Sequence, residues 1–304
     1  MGLVHKNWRF VHKPTALSHS ECHEPLPTGG TCLATIAGED RLVCIRRTVQ
    51  LQGSRMHILL LNPNTSASIT DRLTQVARQV VAPDSRVTGL SAPRGVPYIS
   101  SRAEAQIAGA VLLEMMADHP EPYDAAIVAA FGDPGLAAAR ELFDVPVVGM
   151  AEAAMLTACM LGQRFAIVTF AASLGGWYRD CVAASGLLPR LAGIRFSAEP
   201  FSSIDAVASE REDALVALCI AAVEQDGADV VLLAGAPLAG LAARVAPRVP
   251  VPVVEQVHAA VLQAEALVRL KVRKATAGSS ARPAAKPTLG LSPRLAALIA
   301  RGDA

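Results

Sequence analysis

The feature that most constrains how this 304-residue chain can fold is an internal repeat. Residues 124–155, DAAIVAAFGDPGLAAARELFDVPVVGMAEAAM, open with an apolar run from Ala125 to Ala130. That run is too short for a buried helix, and continuous rather than alternating, so it reads as a strand of a parallel sheet covered on both faces. FGDPG breaks the strand, LAAAREL starts a helix, and Val145 to Met150 form the next strand before a further helix. Residues 230–260, VVLLAGAPLAGLAARVAPRVPVPVVEQVHAA, repeat the order. Setting Gly135-Leu136 over Gly240-Leu241 matches strand, Gly/Pro loop, GLAA-R helix and VPVV strand with one inserted residue, and places Ala130 opposite Gly235 at the last step of each strand. A repeat of this kind implies two similar lobes. In open parallel sheets, ligands sit beyond the carboxyl ends of the strands. The expected fold is therefore α/β, two pseudo-symmetric open parallel-sheet αβ lobes with the site in the cleft between them.

The domain is expected to span 56–273, with one lobe of about 56–150 plus the C-terminal helix and a second of about 151–256. It opens with MHILLLNPNTS, where HILLL is a buried strand and Asn64, Thr65 or Ser66 caps the helix that follows. NPNTS thus sits at a strand end and a helix N-terminus. Free N–H groups and hydroxyls there suit a carboxylate or another anionic oxygen, or serve only to cap the helix. Further on come a strand at Arg86–Leu90, a helix from Ser101 to Ala117 and a strand at Arg164–Phe170. A helix over Ser173–Ser185, a weaker strand and loop within 193–206, and a helix over Glu210–Gln225 precede the second repeat. His258 falls one turn into the last long helix, where a packing or surface role is expected. Residues 274–304 read as a Gly/Ser/Pro/Ala linker and a short helix that docks on a neighbouring subunit or frays. Residues 1–55 show neither a 2.0 nor a 3.6 period and are expected to be a disordered N-terminal extension without a secretory signal.

A formal net charge of +1 and 4% aromatic residues provide neither a basic patch nor stacking platforms, so no nucleic acid and no anionic membrane is expected as a partner. No apolar run approaches the roughly 20 residues of a membrane span. Six cysteines without a CxxC pair point to a reducing, cytoplasmic setting. His19, Cys22, His23, Cys32 and Cys44 could be drawn as zinc ligands, but their spacings match no compact zinc module. No GxGxxG follows a strand, so neither metal nor cofactor is expected. Cys159, Cys181 and Cys219 fall on apolar helical faces, where free cysteine behaves as a small core hydrophobe. None of the six is expected near a strand-end loop.

NPNTS at 62–66, FGDPGLAAAREL at 131–142, VPVVGMAEAAM at 145–155, FAIVTF at 165–170 and VVLLAGAPLAGLA at 230–242 together resemble the hydantoin racemase branch of the aspartate/glutamate racemase superfamily. The resemblance implies a cofactor-independent isomerase, commonly a homo-oligomer. Its substrate would be a small carboxylate or cyclic ureide: an amino acid, or a cyclic derivative such as a 5-substituted hydantoin. A proton is removed from, and returned to, the carbon next to a carbonyl. The family does this with two thiols, and the matching positions here are Ala130 and Gly235. Neither side chain can take up a proton, so a thiol two-base relay is not available. The implied substrate-binding half is present as Asn62, Asn64, Thr65, Ser66, Phe131, Thr169 and Ala236. The carboxylates at hand are Asp133, which also suits an N-cap before Pro134, and Glu152, a first-turn acid. Cysteine restored at Ala130 or at Gly235 is expected to create thiol-dependent activity. Two alternatives share the scaffold: a non-catalytic ligand-binding protein, and a lyase that decarboxylates a malonate-like acid.

Overall fold

The computed structural model describes residues 56–197 and 202–301. The expected disordered extension and the five imagined zinc ligands lie outside the described residues. The first sheet contains β1 (Met56–Asn62), β2 (Ser85–Ser91), β3 (Ala125–Val128) and β4 (Val147–Gly149), all parallel, in the order β2-β1-β3-β4. The second contains β5 (Phe165–Thr169), β6 (Leu191–Phe196), β7 (Val230–Leu233) and β8 (Val253–Val254), parallel in the order β6-β5-β7-β8. One topology is therefore used twice.

Backbone hydrogen bonds repeat with it. Asp124 N donates to His57 O as Asp229 N does to Arg164 O, each at 2.8 Å. Ala129 N reaches Leu61 O at 2.9 Å and Ala234 N reaches Val168 O at 2.8 Å. Ala126 pairs with Val147, whereas its counterpart Val231 pairs with Val253, so the inserted residue falls between the GLAA-R helix and the VPVV strand. Ala130 and Gly235 consequently stand at the same step beyond their strands.

In the first lobe, α1 (Ala67–Ala77), α2 (Arg102–Asp118) and α3 (Leu136–Leu142) join successive strands, and α4 (Met150–Leu161) crosses to the second lobe. There α5 (Gly175–Ala184), the short α6 (Val207–Glu210), α7 (Glu212–Asp226) and the short α8 (Ala242–Val245) play the same part. The last long helix, α9 (Gln256–Arg269), returns to pack on α1, α4, β3 and β4, which attaches it to the first lobe. Strand interiors are continuous apolar runs because both faces are covered: Ile58, Leu59, Leu60 and Leu61 are all fully buried. Among the described residues no helix is long and apolar enough to cross a membrane.

The C-terminal segment departs from the expectation of a loose linker. Helix α10 (Pro293–Arg301) docks on α2 of its own chain. Its apolar residues Leu295, Leu298 and Ile299 join the cluster of Leu112, Met116, Leu142 and Phe143. Ser292 Oγ donates to Asp118 Oδ1 at 2.9 Å, and Arg294 donates to the carbonyls of Asp118 and His119 at 2.9 and 2.8 Å. Upstream, Arg282 pairs with Asp144 at 2.7 Å and Lys274 donates to the Arg140 carbonyl. A one-sided apolar helix finds its partner face within the chain. Leu295→Ala removes its buried anchor and is expected to cost about 2–3 kcal/mol in denaturant unfolding. A change below about 0.5 kcal/mol would mean that α10 is not part of the folded unit.

Candidate functional site

Asn62 ends β1, Ala130 and Phe131 follow β3, Thr169 and Phe170 end and follow β5, and Gly235 and Ala236 follow β7. The parallel topology brings these strand ends together, and side chains from both lobes meet over them. The Phe131 ring lies 4.7 Å, centroid to centroid, from Tyr178 of α5. Tyr98, from the loop between β2 and α2, lies 5.9 Å from Phe170. At the rim, Arg72 of α1 donates to the carbonyls of Pro237 and Asp205 at 2.5 and 2.9 Å, and Ser68 donates to Asp205 Oδ1 at 2.8 Å.

The NPNTS asparagines build their own loop. Asn62 Nδ2 donates to Asn64 Oδ1 and Thr70 Oγ1 at 2.9 Å and to Ser66 O at 3.2 Å. Asn62 Oδ1 accepts from Asn64 N at 3.3 Å, and Asn64 Oδ1 accepts from Ser66 N at 2.9 Å. Both side chains are buried, so they position the loop. Ser66 is the N-cap of α1, and the Thr65 N–H ties the loop to Val96 O at 3.0 Å. Thr169, fully buried, donates to Ala234 O at 3.0 Å and shares a hydrogen bond with the Tyr178 hydroxyl, which makes it a positioning residue.

Ala130 and Gly235, equivalent in the repeat, differ in shape. Ala130 keeps an ordinary negative φ, whereas Gly235 has φ 115°. A Cβ on Gly235 would sit 2.9 Å from Phe170 Cε1 and 3.4 Å from the Tyr178 hydroxyl. The Gln256 side chain clamps the same glycine, accepting from its N–H at 3.3 Å and donating to its carbonyl at 2.7 Å. Phenylalanine and tyrosine thus fill the space that a side chain at 235 would need.

Asp133 corrects the expected N-cap of α3. That helix begins after Gly135, and the Asp133 carboxylate instead accepts from Ala151 N at 2.9 Å and Glu152 N at 2.8 Å, capping α4 from outside. The reason is its positive φ of 48°, which turns the side chain away from its own helix. It occupies the space of a side chain at Gly149, whose Cβ would lie 2.3 Å from Asp133 Oδ2. In the second repeat the carboxylate comes from the other side. Glu255 stands where the first repeat has Gly149, and accepts from Gly240 N at 3.0 Å and Val257 N at 3.3 Å. Burial pushes the Asp133 carboxyl up to about 7, against the opposing pull of the two α4 amides. Glu152 is gripped by Arg140, which also donates to Val147 O at 2.9 Å.

Cys181 lies at a strand-end loop, contrary to expectation. Helix α5 lies over the first lobe, with Trp177 against Gly132 and the Cys181 sulfur beside the Gly132 N–H. Burial, reinforced by Asp133 and Glu152, holds this thiol well above its ordinary range, so it is a neutral neighbour of Asp133 and no ready nucleophile. Cys219 is buried in α7, as the apolar face predicts. Nothing in a linear sequence signals the Cys181 placement, because it depends on how the second lobe sits on the first.

One His/Glu cluster could offer metal ligands: His57, His119 and Glu121 place one atom each within 4.8 Å of one another. It lies at the start of β1, the opposite end from the strand-end cleft. Arg86 occupies it, bonded to Glu121 at 2.7 Å and to His57 Nδ1 at 3.0 Å, while His57 Nε2 meets Thr88 Oγ1 at 2.9 Å. A guanidinium already fills the place that a cation would take. On α9, His258 Nε2 meets Gln79 Oε1 at 3.3 Å, a contact in keeping with the expected packing or surface role.

The sequence profile of the Asp/Glu/Hydantoin racemase family matches residues 58–264. The hydantoin racemase of Paenarthrobacter aurescens is 34% identical over 239 residues, covering 77% of this chain and 100% of its own. Among solved structures, the allantoin racemase of Pseudomonas fluorescens superposes with a TM-score of 0.74 at 32% identity, over 77% of this chain and 100% of its own. The allantoin racemase of Klebsiella pneumoniae superposes with a TM-score of 0.73 at 32% identity, over 80% and 98%. The chain belongs to the Asp/Glu/hydantoin racemase family, and the twofold sheet arrangement is the fold of that family's isomerases.

Proposed function

We propose that the protein is an isomerase that acts at the carbon next to a carbonyl of a neutral cyclic amino-acid derivative, of the 5-substituted hydantoin class. The observation that carries the choice of a neutral ring is the character of the cleft. Ala130, Phe131, Thr169, Phe170 and Tyr178 are buried at the strand ends with Tyr98 beside Phe170, and the arginines of α1, α2 and α3 are engaged: Arg72 by two carbonyls, Arg140 by Glu152, and Arg102 by Asp180 at 2.5 Å. A free aspartate or glutamate would bring two carboxylates, whose burial among these largely apolar side chains costs more than that of a neutral ring.

For the chemistry, Asp133 is the proposed proton acceptor. It follows Ala130 by one turn of loop, and a carboxyl pushed up to about 7 is matched to proton transfer at neutral pH. The C–H proton passes to the carboxylate and the electron pair moves to the carbonyl oxygen, giving an enolate. Backbone N–H groups at Phe131 and Ala236 are the proposed stabilisers; Ala236 opens a 3-10 turn, where the first amides have no partner within the turn. A single base returns the proton to the face it came from, so inversion requires solvent to protonate the opposite face. Exchange is therefore expected to outrun racemisation, a signature that a two-thiol relay does not require. The reading further includes cofactor independence, a cytoplasmic setting, to which the free Cys159, Cys181 and Cys219 are suited, and homo-oligomer formation.

The test is incubation of the full chain with single enantiomers of 5-substituted hydantoins, and separately with L-aspartate and L-glutamate, followed by chiral chromatography. The reading requires loss of enantiomeric purity for a hydantoin and none for the amino acids. The reverse preference would overturn it. Binding of a hydantoin without turnover would make the protein a ligand-binding relative.

A further inference from the structure

The proposed chemistry leaves one enclosed polar atom unused. The Tyr98 hydroxyl is buried and has no hydrogen-bond partner among the described residues. Its ring packs against Phe170, whose Cε1 is the atom nearest to where a Cβ on Gly235 would lie. The neighbouring phenol, Tyr178, stands at the same place but is satisfied by Thr169. The Tyr178 hydroxyl thus borders Gly235, Tyr98 packs on the same phenylalanine, and of the two phenols only Tyr178 is satisfied from within the described residues.

The loop that carries Tyr98 is not slack. Its Val96 carbonyl receives the Thr65 N–H at 3.0 Å, Ile99 is buried, and Ser100 donates from its N–H and hydroxyl to Glu104 at 2.6 and 2.9 Å. Ser101 then caps α2. Tyr98 is held between two anchored points, one of them the NPNTS loop. Burial, with Glu104 adding to it, keeps the phenol protonated far above its ordinary range, so the group is a neutral donor and not a base. An enclosed donor without an acceptor destabilises a protein, and such groups are rare in folded chains unless a ligand supplies the partner.

We propose that Tyr98 is a substrate-binding residue, its hydroxyl donating to a carbonyl oxygen of a cyclic ureide held on the Gly235 side of the cleft. The ligand class rests on the function proposed above; the unsatisfied hydroxyl does not. Tyr98 would then set specificity, because a ring lacking that carbonyl leaves the hydroxyl enclosed and unpaired.

Tyr98→Phe in the full chain tests this with two readings. The ligand-free melting temperature is expected to stay level or rise, since the variant removes a buried group that has no partner. Affinity for a 5-substituted hydantoin, from isothermal titration, is expected to fall about tenfold, the factor for one neutral hydrogen bond. In turnover the change is expected in KM more than in kcat. Unchanged affinity overturns the assignment whatever the melting temperature does. A wild-type chain that binds no hydantoin overturns the proposed function and the ligand named here, and is told apart because it fails before any substitution is made.

Discussion

Gly235→Cys is expected to lower stability by about 2–4 kcal/mol, while Ala130→Cys changes it by less than about 1 kcal/mol. The two positions are equivalent in the repeat, and the difference arises from their surroundings. At Gly235 a side chain must adopt φ near 115° and displace Phe170 from 2.9 Å. At Ala130 a Cβ is already present in an ordinary backbone conformation. The expectation that either substitution restores thiol chemistry therefore divides: thiol-dependent exchange is expected from Ala130→Cys alone. Denaturant unfolding of the two variants measures the difference directly. Equal stabilities would show that Phe170 and the 234–236 backbone move aside freely.

Asp133→Asn is expected to reduce proton exchange at the substrate carbon by about 100-fold or more, with a stability loss of about 1–2 kcal/mol. An asparagine oxygen can accept one of the two α4 amides, but its NH2 group opposes the other. In the native protein the exchange rate is expected to rise with pH and level off above about 7, because the deprotonated carboxyl is the acceptor. Stability follows the opposite sense. The folded carboxyl titrates near 7 and the unfolded one near 3.8, so between these values the folded state holds the extra proton. The Asp133 contribution is thus fully present below about 4 and lost as pH rises to about 7. Asp133→Asn is expected to flatten that part of the profile. A variant with native exchange rates would leave Asp133 as a helix cap and nothing more.

Much of the fold was legible because its signals are local. Continuous apolar runs ending in Gly/Pro loops marked the strands, and the shared GLAA-R and VPVV blocks fixed the repeat, including the inserted residue seen in the Ala126–Val147 and Val231–Val253 registers. The family followed from NPNTS and FGDPGL and is confirmed by the match over 58–264. What escaped depended on one element lying over another. Asp133 reads as a cap for the helix beside it, yet serves α4, which begins on the far side of β4. Cys181 is the core cysteine its helical face predicts, yet it also stands beside Gly132 at a strand-end loop because α5 lies over the first lobe. The α10 helix reads as a segment that docks on a neighbouring subunit or frays, but its apolar stripe fits α2 of its own chain. A signal for one of these was available. In the aligned repeats Gly149 faces Glu255, and a glycine opposite an acid hints that the first lobe draws its carboxylate from elsewhere.

The central claim is that this racemase-family cleft moves a substrate proton without a thiol at either family position. Its most direct test is deuterium incorporation. The full chain is incubated in heavy water with an L-5-substituted hydantoin, and loss of the C5–H signal is followed by NMR against an enzyme-free control and against Asp133→Asn. The account predicts incorporation well above the control, faster than the accompanying racemisation, and lost in the variant. Incorporation no faster than the control, in a protein that binds the hydantoin, would contradict it.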